Sequence, residues 1–72
     1  MKQQLVICVE NDGYEASLEK RKLYIRVADA AASKHDQIRV VDESGEDYLF
    51  PSKLFVEVSL PRETEQAVIS AA

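Results

Sequence analysis

Apolar positions in this chain come in short runs separated by turn formers, and the period changes from run to run. Leu5-Val6-Ile7-Cys8-Val9 is continuous, which is the length of one strand and the pattern of a strand buried on both faces or lying at a barrel seam. Glu10-Asn11-Asp12-Gly13 ends it with a strong turn signal. From Tyr14 to Arg21 no period holds long enough to define an element, so this segment is expected as a long ordered loop pinned by Tyr14 and Leu18 turning inward. Leu23-Tyr24-Ile25-Arg26-Val27 alternates cleanly and predicts a strand with Leu23, Ile25 and Val27 on the core face. Asp29 stands before Ala30-Ala31-Ala32 where an N-cap would stand, but the run has room for only one helical turn.

The strongest local signal is the stretch from Ile38 to Phe55. Ile38-Arg39-Val40-Val41 is largely β-branched, and Asp42-Glu43-Ser44-Gly45 puts Asp and Gly at the first and fourth places of a type I turn. Gly45 can take positive φ without Cβ strain, so a one-residue bulge is expected after the turn. Tyr48-Leu49-Phe50 returns as a short strand. Pro51 cannot donate to a ladder and ends it, and Ser52-Lys53-Leu54 fits one 3-10 turn. Val56, Val58 and Leu60 then alternate with Glu57 and Ser59 in a last strand stopped by Pro61. Residues 61–72 read either as a short helical tail over one end or as a frayed terminus.

Strand, long loop, strand, medium loop, hairpin, single turn, strand is the plan of a small, strongly bent, mainly β fold, a five-stranded, partly open antiparallel barrel. The core expected for it is Val6, Cys8, Leu18, Leu23, Ile25, Val27, Ile38, Val40, Leu49, Phe55, Val56 and Val58. The long first loop, the tight distal hairpin and the Pro-containing 3-10 turn before the last strand resemble the Src-homology-3-like barrels. Closer still is a family of small uncharacterised bacterial proteins with that barrel. The likeness rests on Asn11-Asp12-Gly13-Tyr14-Glu15-Ala16-Ser17-Leu18-Glu19, Lys22-Leu23-Tyr24, and the run from Arg39 through Asp42-Glu43-Ser44-Gly45 to Pro51. This resemblance covers most of residues 5–60 and implies a fold, with no known activity. Eukaryotic peptide-binding members carry a Trp on the third strand; this chain has no Trp, so the resemblance does not extend to binding proline-rich ligands.

Composition narrows the function classes. The 72 residues are read as one domain, with the core in 5–60 and a tail in 61–72; a chain of this size buries only about 60% of its unfolded surface, so large apolar side chains are needed inside. The longest apolar run, Leu5 to Val9, is far too short to cross a bilayer and shorter than a signal-peptide core, so the protein is expected in the cytoplasm. Thirteen acids against nine bases give a net charge of −4, which argues against nucleic acid as the main partner. One Cys forbids an internal disulfide, and one Cys with one His cannot supply the four ligands of a structural zinc site. Cys8, inside an apolar strand, reads as a small buried hydrophobe.

No cofactor is expected, and no enzyme. His35 lies in a polar loop with no spacing that ties it to Cys8, Ser17, Ser33 or Ser44 as a nucleophile. Asp42, Glu43, Glu46 and Asp47 crowd one hairpin, but the calcium-loop spacing is missing and such acids commonly solvate a hairpin tip. Tyr14, Tyr24 and Tyr48 are the candidate lining of a shallow partner groove, because a tyrosine ring buries while its hydroxyl stays wet. The expectation is a protein-interaction module, an adaptor or accessory subunit using that groove or a sheet edge, and a monomer or weak homo-oligomer. The alternative is an RNA-associated barrel using a basic patch of Lys20, Arg21, Lys22, Arg26 and Arg39.

Overall fold

The computed structural model describes residues 3–71. Five strands, β1 (Gln3–Cys8), β2 (Leu23–Val27), β3 (Gln37–Val41), β4 (Asp47–Pro51) and β5 (Phe55–Glu57), form one antiparallel sheet in the order β4-β3-β2-β1-β5. A single turn α1 (Ala30–Ser33) joins β2 to β3, a 3-10 turn (Ser52–Leu54) joins β4 to β5, and α2 (Arg62–Ala71) follows the sheet. The expected order of elements is therefore present.

The local signals act where they stand. Gly45 N donates to Asp42 O at 3.0 Å and Gly45 sits at φ 86°, so the turn closes and the bulge falls on the residue that tolerates it. Asp29 caps α1, its Oδ1 accepting from Ala32 N at 3.0 Å. Leu18 is fully buried and Tyr14 half-buried, so both pin the first loop. The tail is more than a turn: α2 runs for ten residues after Pro61, with Glu63 and Glu65 in the first turn, where a carboxylate favours the helix dipole. The expected tail reached Ala72, which lies outside the described residues.

β4 and β5 lie at opposite edges of the sheet and share no ladder, so it is not closed into a barrel. It is nevertheless strongly curled. From Pro51 to Phe55 an extended chain spans no more than about 14 Å, whereas the outer strands of a flat five-stranded sheet would stand about 19 Å apart. Closure by hydrogen bonds fails because β5 has only three residues and the Phe55 N–H is taken by Ser52 O in the connecting turn. The last strand thus stops at Glu57, short of the run to Leu60 that alternation suggested.

Register decides which side chains point inward. Val6 pairs with Tyr24 and Cys8 with Phe55, while Ile38 pairs with Phe50, so the inner face carries Val6, Cys8, Tyr24, Ile38, Val40, Phe50 and Phe55. Leu18 from the first loop and Leu54 from the 3-10 turn close this core. Several expected core residues lie elsewhere. Leu23, Leu49 and Val56 are 37%, 42% and 53% exposed, and Ile25, Val27 and Val58 are half-buried. The alternation in these strands is real, but the opposite face is the one turned in, because pairing with β1 and β3 leaves the aromatic residue of each strand inside. Leu5, Tyr24, Ala32, Phe50 and Leu54 are buried in addition.

Candidate functional site

The hairpin joining β3 and β4 is tied to the first loop by one carboxylate. Glu43 accepts from the Tyr24 hydroxyl at 2.6 Å and pairs with Lys22 Nζ at 2.6 Å, while Glu19 N donates to the same Tyr24 oxygen at 2.7 Å. A backbone bond, Glu43 N to Ser17 O at 3.1 Å, runs beside them. The bond from Lys22, then that from Tyr24, holds the Glu43 carboxyl below the ordinary carboxylate range. Burial, then the Glu43 carboxylate, pushes the Tyr24 phenol far above its usual value. Nothing in the local sequence couples Glu43 to residues about twenty positions earlier; only folding brings them together.

The three tyrosines differ in placement. Tyr24 is buried and its hydroxyl is spent on Glu19 and Glu43, so it has no wet face to offer. Tyr14 packs edge-on against Phe50, with ring centroids 5.5 Å apart. Tyr48 is 48% exposed, and its hydroxyl donates to Glu46 at 3.4 Å. An open hollow beside β2, walled by Leu5, Leu23, Ile25 and Val41 with Val68 of α2, includes Tyr24 but neither Tyr14 nor Tyr48.

The basic residues are dispersed and largely neutralised. Lys20 lies 3.9 Å from Glu10, Lys22 pairs with Glu43, Arg26 lies 3.2 Å from Glu57, and Arg39 bonds Asp29 at 3.0 Å with Asp47 at 3.8 Å. Arg26 pairs across the sheet with Val40, the neighbour of Arg39, so Arg26 and Arg39 project from opposite faces. Arg21 sits in the turn before β2 at φ 70°, its N–H bonded to Cys8 O at 2.7 Å.

The groups weighed for chemistry stand apart. His35 is exposed in the turn after α1, whereas Cys8 is buried on β1, its thiol donating to Glu10 O at 3.2 Å and burial pushing its pKa up. Among the described residues no three His, Cys, Asp or Glu side chains are grouped to hold a metal ion. Asp42 is turned into its own hairpin, accepting from Ser44 N at 2.8 Å.

The sequence offers a sheet edge as a partner surface without naming which; the edge left open in the structure is that of β4. Asp42 N bonds Glu46 O and Ser52 N bonds Asp36 O, in the same register that pairs Val40 with Tyr48 and Ile38 with Phe50. Bonded and unbonded pairs alternate in an antiparallel ladder, so Tyr48 and Phe50 spend their backbone groups on β3 while Asp47 and Leu49 turn theirs to the open edge. Pro51 ends that row: it has no N–H, and as the residue capping the 3-10 turn its carbonyl accepts the first bond of that turn. The opposite edge is blunted: β5 is short, the Phe55 N–H is taken, and Glu57 places a charge there. No protein-family model, curated protein or solved structure matches the chain.

Proposed function

We propose that this chain is a small protein-interaction module, an adaptor or accessory subunit that takes a partner strand along the free edge of β4. The observation that carries the reading is that edge: Leu49 turns both backbone groups outward, flanked by the half-exposed side chains of Leu49 and Tyr48. Glu46 and Asp47 beside it favour a basic partner, speeding encounter more than fixing affinity. The RNA-associated alternative is less supported, because four of its five basic side chains face a carboxylate within 3.9 Å. The likeness to Src-homology-3-like barrels, which we retain as a proposal, is supported by the order of long loop, hairpin and 3-10 turn along the chain. The cytoplasm is the proposed compartment, in keeping with a single, unpaired cysteine.

The test is affinity capture from native lysate with wild type beside Leu49→Lys, a change at an exposed position whose fold is checked by circular dichroism. Partners captured by wild type and lost with the variant support the edge. Equal capture by both moves the site elsewhere, and no capture by either removes the support for an interaction module.

A further inference from the structure

The ten residues of α2 lie on the sheet without being fastened to it, and we propose that this helix is a strap: it lifts from the outer face as one unit while the strands stay folded. The outer face then alternates between a covered and a bared state. This does not depend on the reading of the β4 edge.

The first argument is what α2 covers. Register places Val56, Ile7 and Leu23 in one row across the outer face, and Leu5, Ile25 and Val41 in the next. These aliphatic side chains form a continuous patch over β5, β1, β2 and β3, of a kind that monomeric proteins rarely leave open. Leu5 is 1% exposed yet lies outside the inner cluster, so its cover comes from the α2 side, where Val68 and Ala71 line the hollow that reaches it.

The second argument is how α2 is held. Glu65, Val68 and Ile69 are half-buried and share one helix face, and no residue of the helix is fully buried. Among the described residues no ion pair joins α2 to the sheet. One backbone bond, Val58 N to Leu5 O at 3.0 Å, ties the segment after β5 to the sheet, and it lies before the helix begins. The grip is apolar and one-sided. The first loop, by contrast, is latched to its hairpin by Glu43, Tyr24 and Lys22.

The third argument is that the sheet holds together without α2. The inner cluster, from Val6 on β1 to Phe55 on β5, takes no residue from the helix. Ser59, Leu60 and Pro61 form an irregular linker beyond the last bond to the sheet, so lifting α2 breaks no strand pairing. A helix of ten residues is too short to persist in water alone, so it unravels as it lifts. Segments of this kind open at a fraction of the free energy of global unfolding.

Native-state amide hydrogen exchange on the full chain tests the proposal, with anilinonaphthalene sulfonate as the dye for bared apolar surface. In the wild type, protection of the amides of residues 66–70 is expected to be roughly a hundredfold below that of Ile38 and Val40, and to vary little with urea where theirs falls steeply. Val68→Asp, which sets a charge on the docking face, is expected to abolish α2 protection and raise dye fluorescence severalfold while Ile38 and Val40 stay protected. Ala67→Lys, on the exposed side of the same helix, is expected to leave α2 protection within about threefold of wild type.

A wild type whose α2 amides match Ile38 and Val40 in protection overturns the proposal, since the helix would then leave only with the whole fold. So does a Val68→Asp chain that keeps its α2 protection, one whose sheet unfolds, or one that stays folded and binds no more dye than wild type.

Discussion

On the inner face of the sheet a run of rings fills the curl: Tyr14 against Phe50 at 5.5 Å, Phe50 against Phe55 at 6.1 Å, and Phe55 against Tyr24 at 6.3 Å, each edge-to-face. On the outer face Ile7, Leu23, Ile25, Val41, Leu49 and Val56 are just as apolar in sequence, yet only Leu5 is fully covered there. The inner face is closed by Leu18 and Leu54, side chains delivered by a loop and by a single turn. The outer face has α2, whose Val68 and Ala71 wall a hollow with Leu5 and Ile25 but leave Leu23 partly in solvent. Apolar alternation finds strands, whereas burial depends on what caps each face. A curled sheet gives the larger side chains to its concave side, because only there can several rings touch one another.

The sharpest way to break this contrast is a pair of truncations at neighbouring positions of β4. Phe50→Ala is expected to cost about 3–5 kcal/mol, the range for removing a buried ring. Leu49→Ala, one residue away on the other face, is expected to stay within roughly 0.5 kcal/mol of wild type. Urea unfolding with matched slopes measures both, and similar losses at the two positions would reverse the face assignment.

A finer probe keeps the ring of Tyr24 and removes its hydroxyl. Tyr24→Phe is expected to cost about 1–2 kcal/mol, since it strips a bond from a carboxylate and another from the Glu19 N–H. The Glu43 carboxyl should then titrate closer to its ordinary range, which carbon-detected NMR would show. An unmoved Glu43 titration would mean that the tyrosine does not hold it.

The hairpin decides which β4 side chains meet the inner face, and Gly45 is its pivot. A Cβ at Gly45 meets nothing within 4 Å, so Gly45→Val acts through backbone strain at φ 86°. Its expected cost is about 1–2 kcal/mol, the penalty for a left-handed L-residue. Gly45→Asn, which tolerates that region, is expected to cost clearly less. Equal melting temperatures for wild type and Gly45→Val would refute the turn.

The smallest expected effect is in pH. The folded pKa of Glu43 is depressed by Lys22 first and Tyr24 second, so its contribution to stability is complete above the unfolded carboxylate value and is lost as pH falls through the folded one. Lys22 is raised, chiefly by its bond to Glu43, so its contribution holds below the ordinary lysine value and fades as pH rises through the raised one. Lys22→Met should flatten the acid limb of the stability curve, and an unchanged limb would assign acid sensitivity to other carboxylates.

Much of the fold was legible because its causes are local. Pro51 ends β4 by what it lacks, Gly45 turns the hairpin by its freedom at positive φ, and Asp29 caps α1 through a bond three residues away. These effects act within a few residues and are written in the order of the chain. The tail of ten helical residues was less legible, since nothing in so short a segment distinguishes a helix from a fray without a surface to lie on.

The chain alone thus carried the number of strands, the turns that Gly45 and Pro51 impose, and the fact that each strand has two faces, but not the end of β5 at Glu57. Which face turns inward, why Tyr24 is buried against Glu43 and Glu19, and why Arg26 and Arg39 lie on opposite sides were decided only in three dimensions. So was the phase that leaves Leu49 with its backbone groups free at the edge. The reason is physical: register and hydrogen-bond phase are set by contacts between segments far apart in the chain, where a shift of one residue exchanges the faces and the free groups together.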